Sequence, residues 1–357
     1  MKVKRLTACM LAGAMALSIA LTGCGKIDAN AVGATLDGKE ISLGFMNFMA
    51  RYQQMNYDAS MAYYAAYYGS EYGIEYWSQT ASEEEKDDDG NVTKPAQTME
   101  ESVKEAVAEN IELLYLLEAH MADYNVKITD EEMTAIEEAA KKFMADNSKK
   151  AIKQMGATEE YVKEMLRLST IQQKVKDAVY DASTATVTDE EAAQRTYSYF
   201  QVSTKSKTDS SGNSVDLTDE EKEQLAADMA QVAAAAKEDF EGTSKEKGYT
   251  VSTQSYGADN TLDEKLVAAA DALKEGEVSD LITTDTYYYV IRLDKEYDEE
   301  ATAKKKESLL ATKKQEEFDS ICDGYKKDVK FEVNEKEWAK VKFDRLFSVA
   351  SEEETKN

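Results

Sequence analysis

Histidine and cysteine, side chains that often serve as general bases, nucleophiles and metal ligands, are rare in this sequence. The chain has one histidine, His120, and three cysteines, Cys9, Cys24 and Cys322. A single histidine cannot form a histidine pair or a multi-histidine metal site within one chain, so we expect no metal and no cofactor. Cys322 follows Ile321 in a helical pattern, which predicts a small packed residue rather than a nucleophile. Cys9 and Cys24 belong to an apolar leader and its end, so the rest of the chain has no internal disulfide framework.

The first 23 residues have the pattern of a secretion signal. Basic residues at positions 2, 4 and 5 precede an apolar run from Leu6 to Leu21, which is too short for a comfortable membrane span. The run ends in Leu21-Thr22-Gly23-Cys24, which resembles a bacterial lipobox, a signal in which the cysteine is acylated and the leader is cut before it. This resemblance implies a signal peptide over 1–23, a lipid on Cys24, a tether over 24–31 and attachment to the extracytoplasmic face of the cell membrane. The alternative is an ordinary signal peptide with an incidental cysteine.

Composition and charge exclude several classes of protein. The 357 residues are 42% hydrophobic, which is typical of about two folded domains and argues against wholesale disorder. The formal net charge is −27, so the surface should repel nucleic acid and anionic lipid. We therefore expect no nucleic-acid partner, and expect the lipid on Cys24 to make the membrane contact.

The most informative segment runs from Leu273 to Leu293. Gly276 suits the left-handed position that ends a helix, a short extended piece follows at 278–279, and a β-branched and aromatic run over 287–291 predicts a strand. The segment resembles the last third of a parvulin-type prolyl isomerase domain, with its Lys-Gly-Glu-[Ile/Val]-Ser motif and a later His-[Ile/Val]-Ile. The motif's histidine position is occupied here by Tyr289. The histidine of the family's opening strand falls on Tyr199.

The same resemblance implies a pocket for a proline ring. Leu262 and Leu266 match the family's two apolar pocket positions, and Tyr256 lies near its aromatic position. The family usually has an acid or a thiol in the strand before, whereas Thr250–Ser255 contains neither. The resemblance covers residues 197–293.

Prolyl isomerisation needs no covalent step, because its barrier of about 18–20 kcal/mol reflects amide double-bond character. An apolar pocket with polar groups that favour the twisted amide could lower that barrier. Phenols differ from imidazoles in shape and basicity, so we assign no catalytic residue. Whether isomerase activity remains is left open by the sequence, and the alternative is a peptide-binding or spacer domain.

The flanking regions resemble the chaperone module of SurA- and PrsA-type secretion foldases. Two short apolar runs around Asp37-Gly38 predict a hairpin, and Ser42 predicts the cap of the next helix. Capping boxes at Thr98, Thr129 and Thr188 predict helix starts, as does Thr158 without its matching glutamate. A helix over 299–328, a strand over 329–333 and a helix capped by Asn334 are expected to return and complete this module. The predicted fold class is α+β, a mostly helical chaperone module with an inserted parvulin-like domain, in which helices flank a small antiparallel sheet.

The predicted domains follow from these elements. They are the signal peptide 1–23, the tether 24–31, an N-terminal helical chaperone region 32–194, the parvulin-like domain 195–296, a C-terminal helix and strand over 297–343 and an acidic, frayed tail over 344–357. Residues 81–97 are expected to be a charged, solvated loop. Methionine and tyrosine are frequent over 43–78, and this stretch could be core, a client-binding surface or both.

Two functions are compatible with the sequence. The first is a lipid-anchored extracytoplasmic chaperone or foldase that binds unfolded or newly secreted polypeptides, with a parvulin-like domain that is weak or inactive. The second is a surface lipoprotein that acts as a binding module for a cell-wall ligand.

Overall fold

The computed structural model describes residues 27–347, except 88 and 210. The predicted signal peptide, Cys24 and residues 348–357 lie outside the described residues. Within them the chain divides after Ser183 and again after Glu316 into two compact units, one of which is built from two separate segments. We call the unit that contains residues 27–183 and 317–347 the discontinuous unit, and the unit that contains residues 184–316 the middle unit. None of the helices within the described ranges is both long and apolar enough to cross a membrane.

The elements follow one another in an order that alternates helices with short strands. In the first segment they are β1 (Val32–Leu36), β2 (Lys39–Ser42), α1 (Leu43–Tyr68), a 3-10 helix (Ile74–Ser78), β3 (Thr80–Ser82), β4 (Glu85–Lys86), β5 (Val92–Lys94), β6 (Gln97–Thr98), α2 (Met99–His120), a second 3-10 helix (Met121–Tyr124), α3 (Asp130–Asp146), α4 (Lys149–Met155) and α5 (Glu159–Ala182).

The later elements are α6 (Asp189–Ala192), β7 (Arg195–Ser203), β8 (Ser206–Thr208), β9 (Ser214–Asp216), α7 (Asp219–Ala236), α8 (Phe240–Lys247), β10 (Ser252–Tyr256), α9 (Glu264–Ala272), β11 (Ile282–Thr283), β12 (Tyr287–Lys295), α10 (Glu299–Lys327), β13 (Phe331–Val333) and α11 (Glu335–Trp338). This is the predicted α+β fold, with mostly helical structure and small antiparallel sheets.

Local sequence signals place most helix starts correctly. The side chains of Thr98, Thr129 and Thr188 each accept a hydrogen bond from the backbone N–H three residues on. The side chain of the matching glutamate accepts a hydrogen bond from the backbone N–H of the threonine. Ser42 and Thr158 cap α1 and α5 as predicted. These bonds satisfy backbone N–H groups that a helix start leaves without partners.

The predicted hairpin forms one edge of a three-stranded sheet with the order β13-β1-β2. Its turn uses positive φ angles of 47° at Asp37 and 84° at Gly38, the geometry of the tight turns that Asp-Gly favours. The returning strand β13 pairs antiparallel with β1, so the last segment of the chain joins the sheet that the first segment begins.

The core of the discontinuous unit is formed by α1 to α5, together with side chains from residues 338–347. Fully buried side chains include Phe48, Met46, Ile111 and Leu168. Cys322 is buried in a smaller cluster with Phe318, as predicted for a packed residue.

The middle unit is organised by a four-stranded antiparallel sheet with the order β10-β7-β12-β11. Side chains alternate between the two faces of the strands. One face packs against α9, through Leu266 and Ala270, and the other packs against α7 and α8, through Met229 and Phe240. Each face therefore has its own small core.

The helices α7 and α8 are separate, since α7 ends at Ala236 and Asp239 caps α8. Two local expectations are wrong. The charged stretch 81–97 is not a simple loop, since β3–β6 and β4–β5 form two short antiparallel ladders.

The start of the tail is also packed rather than frayed. Phe347 is 3% exposed, and its backbone N–H donates to buried Asp58 over 2.7 Å. The side chains of Gln54 and Gln154 donate to the backbone carbonyls of Arg345 and Leu346. These partners lie far away in sequence, so the acidic composition of the tail alone did not predict its packing.

Candidate functional site

The two tyrosines at the motif positions lie on the same face of the sheet in the middle unit. Tyr199 on β7 pairs with Ser252 on β10 and with Ile291 on β12. Tyr289 lies two residues before Ile291 on β12 and pairs with Ile282 on β11. Because side chains two residues apart share a face, Tyr199 and Tyr289 are brought together over α9.

Their rings form part of a connected row of aromatic side chains. The ring centroids of Tyr199 and Tyr289 are 5.9 Å apart at an interplanar angle of 49°. Tyr197 lies 5.7 Å from Tyr199 and 5.8 Å from Tyr256, measured between ring centroids. Tilted pairs at such distances each contribute about 0.5–1.5 kcal/mol beyond their burial.

The structure brings all five predicted residues of the parvulin-like pocket into one apolar cluster, with different exposures. Leu266 and Tyr256 are 5% and 4% exposed, so they form the floor of the cluster. Leu262, Tyr199 and Tyr289 are half-buried and remain accessible at its surface. A proline ring that approached this face would touch the half-buried side chains first.

A polar network that the sequence did not reveal holds this floor in place. The hydroxyl of Tyr256 donates to Asp271 Oδ1 over 2.8 Å, and the Arg195 guanidinium donates to the backbone carbonyls of Ala270 and Leu273. Arg195 Nε also lies 3.7 Å from Asp271. These contacts tie the end of α9 to β7. No local pattern in the sequence distinguishes Asp271 and Arg195 from other surface charges.

Burial favours the neutral form of three phenols in this site, Tyr197, Tyr256 and Tyr289. Burial raises the pKa of Tyr289 above its usual range, and burial with the neighbouring Tyr199 raises the pKa of Tyr197 to about 12. Burial and the Asp271 carboxylate raise the pKa of Tyr256 in the same direction. A neutral phenol can donate a hydrogen bond to a peptide carbonyl but is a poor base at neutral pH. The arrangement can therefore bind an amide and polarise its carbonyl.

Comparison with known proteins supports the parvulin resemblance. Residues 187–303 match the Rotamase_2 family model, described as a PPIC-type PPIASE domain. This match confirms the resemblance that the motif residues around Tyr289 indicated, over a part of the chain that is similar to PPIC-type domains. A comparison with curated proteins found no match.

Several solved structures resemble the chain over most of its length. The foldase PrsA from Lactococcus lactis is 20% identical and covers 67% of this chain and 87% of its own, with a TM-score of 0.30. PrsA from Bacillus cereus is 20% identical and covers 74% and 97%, with a TM-score of 0.29. A structure from Campylobacter jejuni, described under SurA-like chaperones, is 10% identical and covers 85% and 99%, with a TM-score of 0.28. At such TM-scores these likenesses do not carry a function across.

Proposed function

We propose that this protein is a lipid-anchored extracytoplasmic chaperone or foldase that binds unfolded secreted polypeptides. The PPIC-type match over 187–303 supports a link to protein folding. The resemblance of Leu21–Cys24 to a lipobox supports a lipid on Cys24, which would hold the acidic body of the protein near the membrane.

We further propose that the PPIC-type domain acts mainly as a peptide-binding domain, with weak or no isomerase activity. The observation that carries this proposal is the pair of half-buried tyrosines, Tyr199 and Tyr289, at the two histidine positions of the family motif. Their rings and Leu262 offer apolar contact to a proline ring, while phenol hydroxyls replace the more basic imidazoles.

An isomerisation assay tests the activity of this domain. The soluble chain that starts at Gly25 is compared with Tyr289→Ala and Leu266→Ala by NMR exchange on an X-Pro peptide. Because buried Leu266 could be needed for folding, Leu262→Ala is added, and exposed Tyr297→Ala is the matched control. We expect acceleration close to background in every protein. Acceleration that falls in the three site variants and persists in Tyr297→Ala would instead identify an isomerase with a tyrosine-substituted pocket.

A second assay tests the chaperone function itself. The same soluble chain is mixed with a denatured client, and light scattering follows aggregation. We expect aggregation to be suppressed in proportion to the added protein. If suppression fails and one cell-wall ligand binds saturably, the protein is the alternative, a binding module of the cell surface.

The lipid anchor is tested separately in a bacterial host. Metabolic labelling with a fatty acid should mark the wild-type protein and should not mark Cys24→Ser. An equally labelled variant would contradict acylation of Cys24.

A further inference from the structure

The C-terminal end of α1 exposes an unusual number of aromatic side chains. Tyr63, Tyr64, Tyr67 and Tyr68 are 70%, 53%, 73% and 72% exposed, although the first half of the same helix is buried. Tyr63 packs edge-on against Tyr64, and Tyr67 packs edge-on against Tyr68. Contiguous exposed aromatic surface on a soluble protein usually marks a binding site.

A small cavity lies beside this surface, between the end of α1 and the 3-10 helix Ile74–Ser78. It has a volume of about 150 Å³, which is enough for one long side chain. Its lining includes four tyrosines and two exposed glutamates, namely Tyr64, Tyr68, Tyr72, Tyr76, Glu71 and Glu75. We call this cavity the tyrosine cleft.

Both charged residues that line the tyrosine cleft are acidic. The sequence from Tyr52 to Glu85 contains no lysine or arginine, whereas Glu71 and Glu75 lie at the cleft. The C-terminus of α1, which carries a partial negative charge, also lies at the cleft, since Tyr68 and Ser70 line it. A cation entering the cleft would meet aromatic faces, carboxylates and a helix C-terminus, each of which attracts positive charge.

The inner wall of the cleft is held in one arrangement before any ligand arrives. The hydroxyl of Tyr72 donates to buried Asp58 over 2.5 Å, and Trp77 Nε1 donates to the same carboxylate over 3.0 Å. The Tyr76 ring lies 5.4 Å from both the Tyr72 and the Trp77 rings, measured between centroids, in edge-to-face geometry. Walls fixed in this way lose little conformational entropy on binding.

We propose that the tyrosine cleft binds a lysine or arginine side chain of an extended, unfolded polypeptide, and that neighbouring side chains of that polypeptide pack on the exposed rings of Tyr63 and Tyr67. The proposal rests on the chaperone function proposed above. It specifies the preferred clients as polypeptide segments that combine positive charge with apolar or aromatic residues. The negative net charge of the chain also attracts positively charged polypeptides over longer distances.

Peptide binding to the soluble chain from Gly25 tests this assignment. The probe is a fluorescein-labelled peptide of serine, threonine and glycine that carries arginine and phenylalanine, and fluorescence anisotropy gives its Kd. The comparison peptide replaces each arginine with aspartate. We expect the arginine peptide to bind more tightly, and its affinity to fall as salt rises, because the attraction is partly between exposed charges.

Matched variants locate the binding. Tyr64→Ser with Tyr68→Ser should raise the Kd about two- to thirtyfold, the range of one to two cation–π contacts. Glu71→Gln with Glu75→Gln should raise it about two- to fivefold and reduce its salt dependence. The controls are exposed Tyr297→Ser and the exposed pair Glu223→Gln with Glu238→Gln, which lie in the middle unit and should leave the Kd unchanged.

The outcomes separate this proposal from the chaperone proposal. If the Tyr64 and Tyr68 variant binds the arginine peptide as tightly as the wild type, or if the aspartate peptide binds equally well, the tyrosine cleft is not a cation site. Aggregation suppression that persists in that variant would then leave the chaperone function standing with its binding surface elsewhere. Preserved far-UV circular dichroism in the variants shows that a changed Kd does not come from unfolding.

Discussion

Cys322 is a buried thiol whose reactivity reports the folding of the discontinuous unit. It is 5% exposed, and burial with the nearby Asp319 carboxylate raises its pKa from 9.0 to about 11. A shift of this size makes the reactive thiolate about a hundredfold rarer at neutral pH. In the chain that starts at Gly25 it is the sole cysteine, because Cys9 and Cys24 precede that point. We expect alkylation by iodoacetamide to be slow in native buffer and fast in denaturant, as measured by mass spectrometry. Rapid native labelling would contradict the buried position.

Asp58 joins three parts of the discontinuous unit through one carboxylate. It is fully buried and accepts hydrogen bonds from Tyr72, Trp77 and the backbone of Phe347. Asp58→Ala would leave these buried donors without an acceptor, so we expect a loss of about 3–5 kcal/mol in the free energy of unfolding, measured by urea titration.

The matched control for Asp58 is Asp344→Ala. Asp344 pairs with Arg51 over 3.0 Å, but its side chain is 40% exposed. A partly solvated ion pair of this kind contributes about 0–1 kcal/mol. Equal losses in the two variants would show that the Asp58 network contributes no more to stability than the exposed ion pair of Asp344.

At the level of single elements, the start of α10 depends on Asp298. This carboxylate accepts hydrogen bonds from the backbone N–H groups of Glu300 and Ala301 and from the hydroxyl of Thr196, and it pairs with Lys295. The backbone bonds, together with Thr196 and Lys295, lower its pKa to about 2. A depressed pKa means that the ionised form contributes stability above the ordinary value of 3.8, and that this stability is lost as the pH falls towards about 2.

Asp298→Asn isolates that charge, because asparagine can still cap a helix. We expect the variant to be less stable at neutral pH by about 0.5–1 kcal/mol, since Lys295 is half-exposed and the pair is screened. The difference between the two proteins should shrink as the pH is lowered from 3.8 towards 2, as measured by urea unfolding at each pH. A difference that stays constant with pH would mean that the carboxylate is not ionised preferentially in the fold.

The elements that were predicted correctly are those with a local cause. Capping boxes at Thr98, Thr129 and Thr188 lie within four residues, and the Asp37-Gly38 turn lies within two, so sequence neighbours alone determine them. The grouping of Tyr199, Tyr256, Leu262, Leu266 and Tyr289 was predicted from family resemblance, since their spacing alone does not place them on one sheet face.

The packed start of the tail was missed because its partners are distant in sequence. The packing of residues 344–347 depends on Gln54, Asp58 and Gln154, each of which is far away in sequence. Contacts with residues distant in sequence also determine which part of the methionine- and tyrosine-rich helix α1 is buried. Its composition is uniform, but tertiary contacts cover Met46 and Met55 and leave Tyr63 to Tyr68 largely open to solvent. The sequence pattern of one helix does not predict which of its turns the neighbouring elements will cover.

At the scale of the whole molecule, the two compact units have separate hydrophobic cores. The clusters around Phe48 and Ile171 belong to the discontinuous unit, whereas those around Phe200 and Leu266 belong to the middle unit. Both tryptophans, Trp77 and Trp338, are buried in the discontinuous unit. Tryptophan fluorescence therefore reports the unfolding of one unit, while calorimetry reports the unfolding of both.

A substitution in the middle unit tests whether the two units unfold independently. Phe200 is fully buried, and its ring lies 5.2 Å from Tyr249 and 5.3 Å from Phe240, measured between centroids. Phe200→Ala should cost the middle unit about 3–5 kcal/mol, because it removes a large buried side chain and leaves a cavity. We expect a calorimetric transition to move to lower temperature while the midpoint of the tryptophan fluorescence transition stays in place. Cys322→Ala, in the other core, should move the fluorescence midpoint. If Phe200→Ala shifts both signals together, the two units unfold as one cooperative body despite their separate cores.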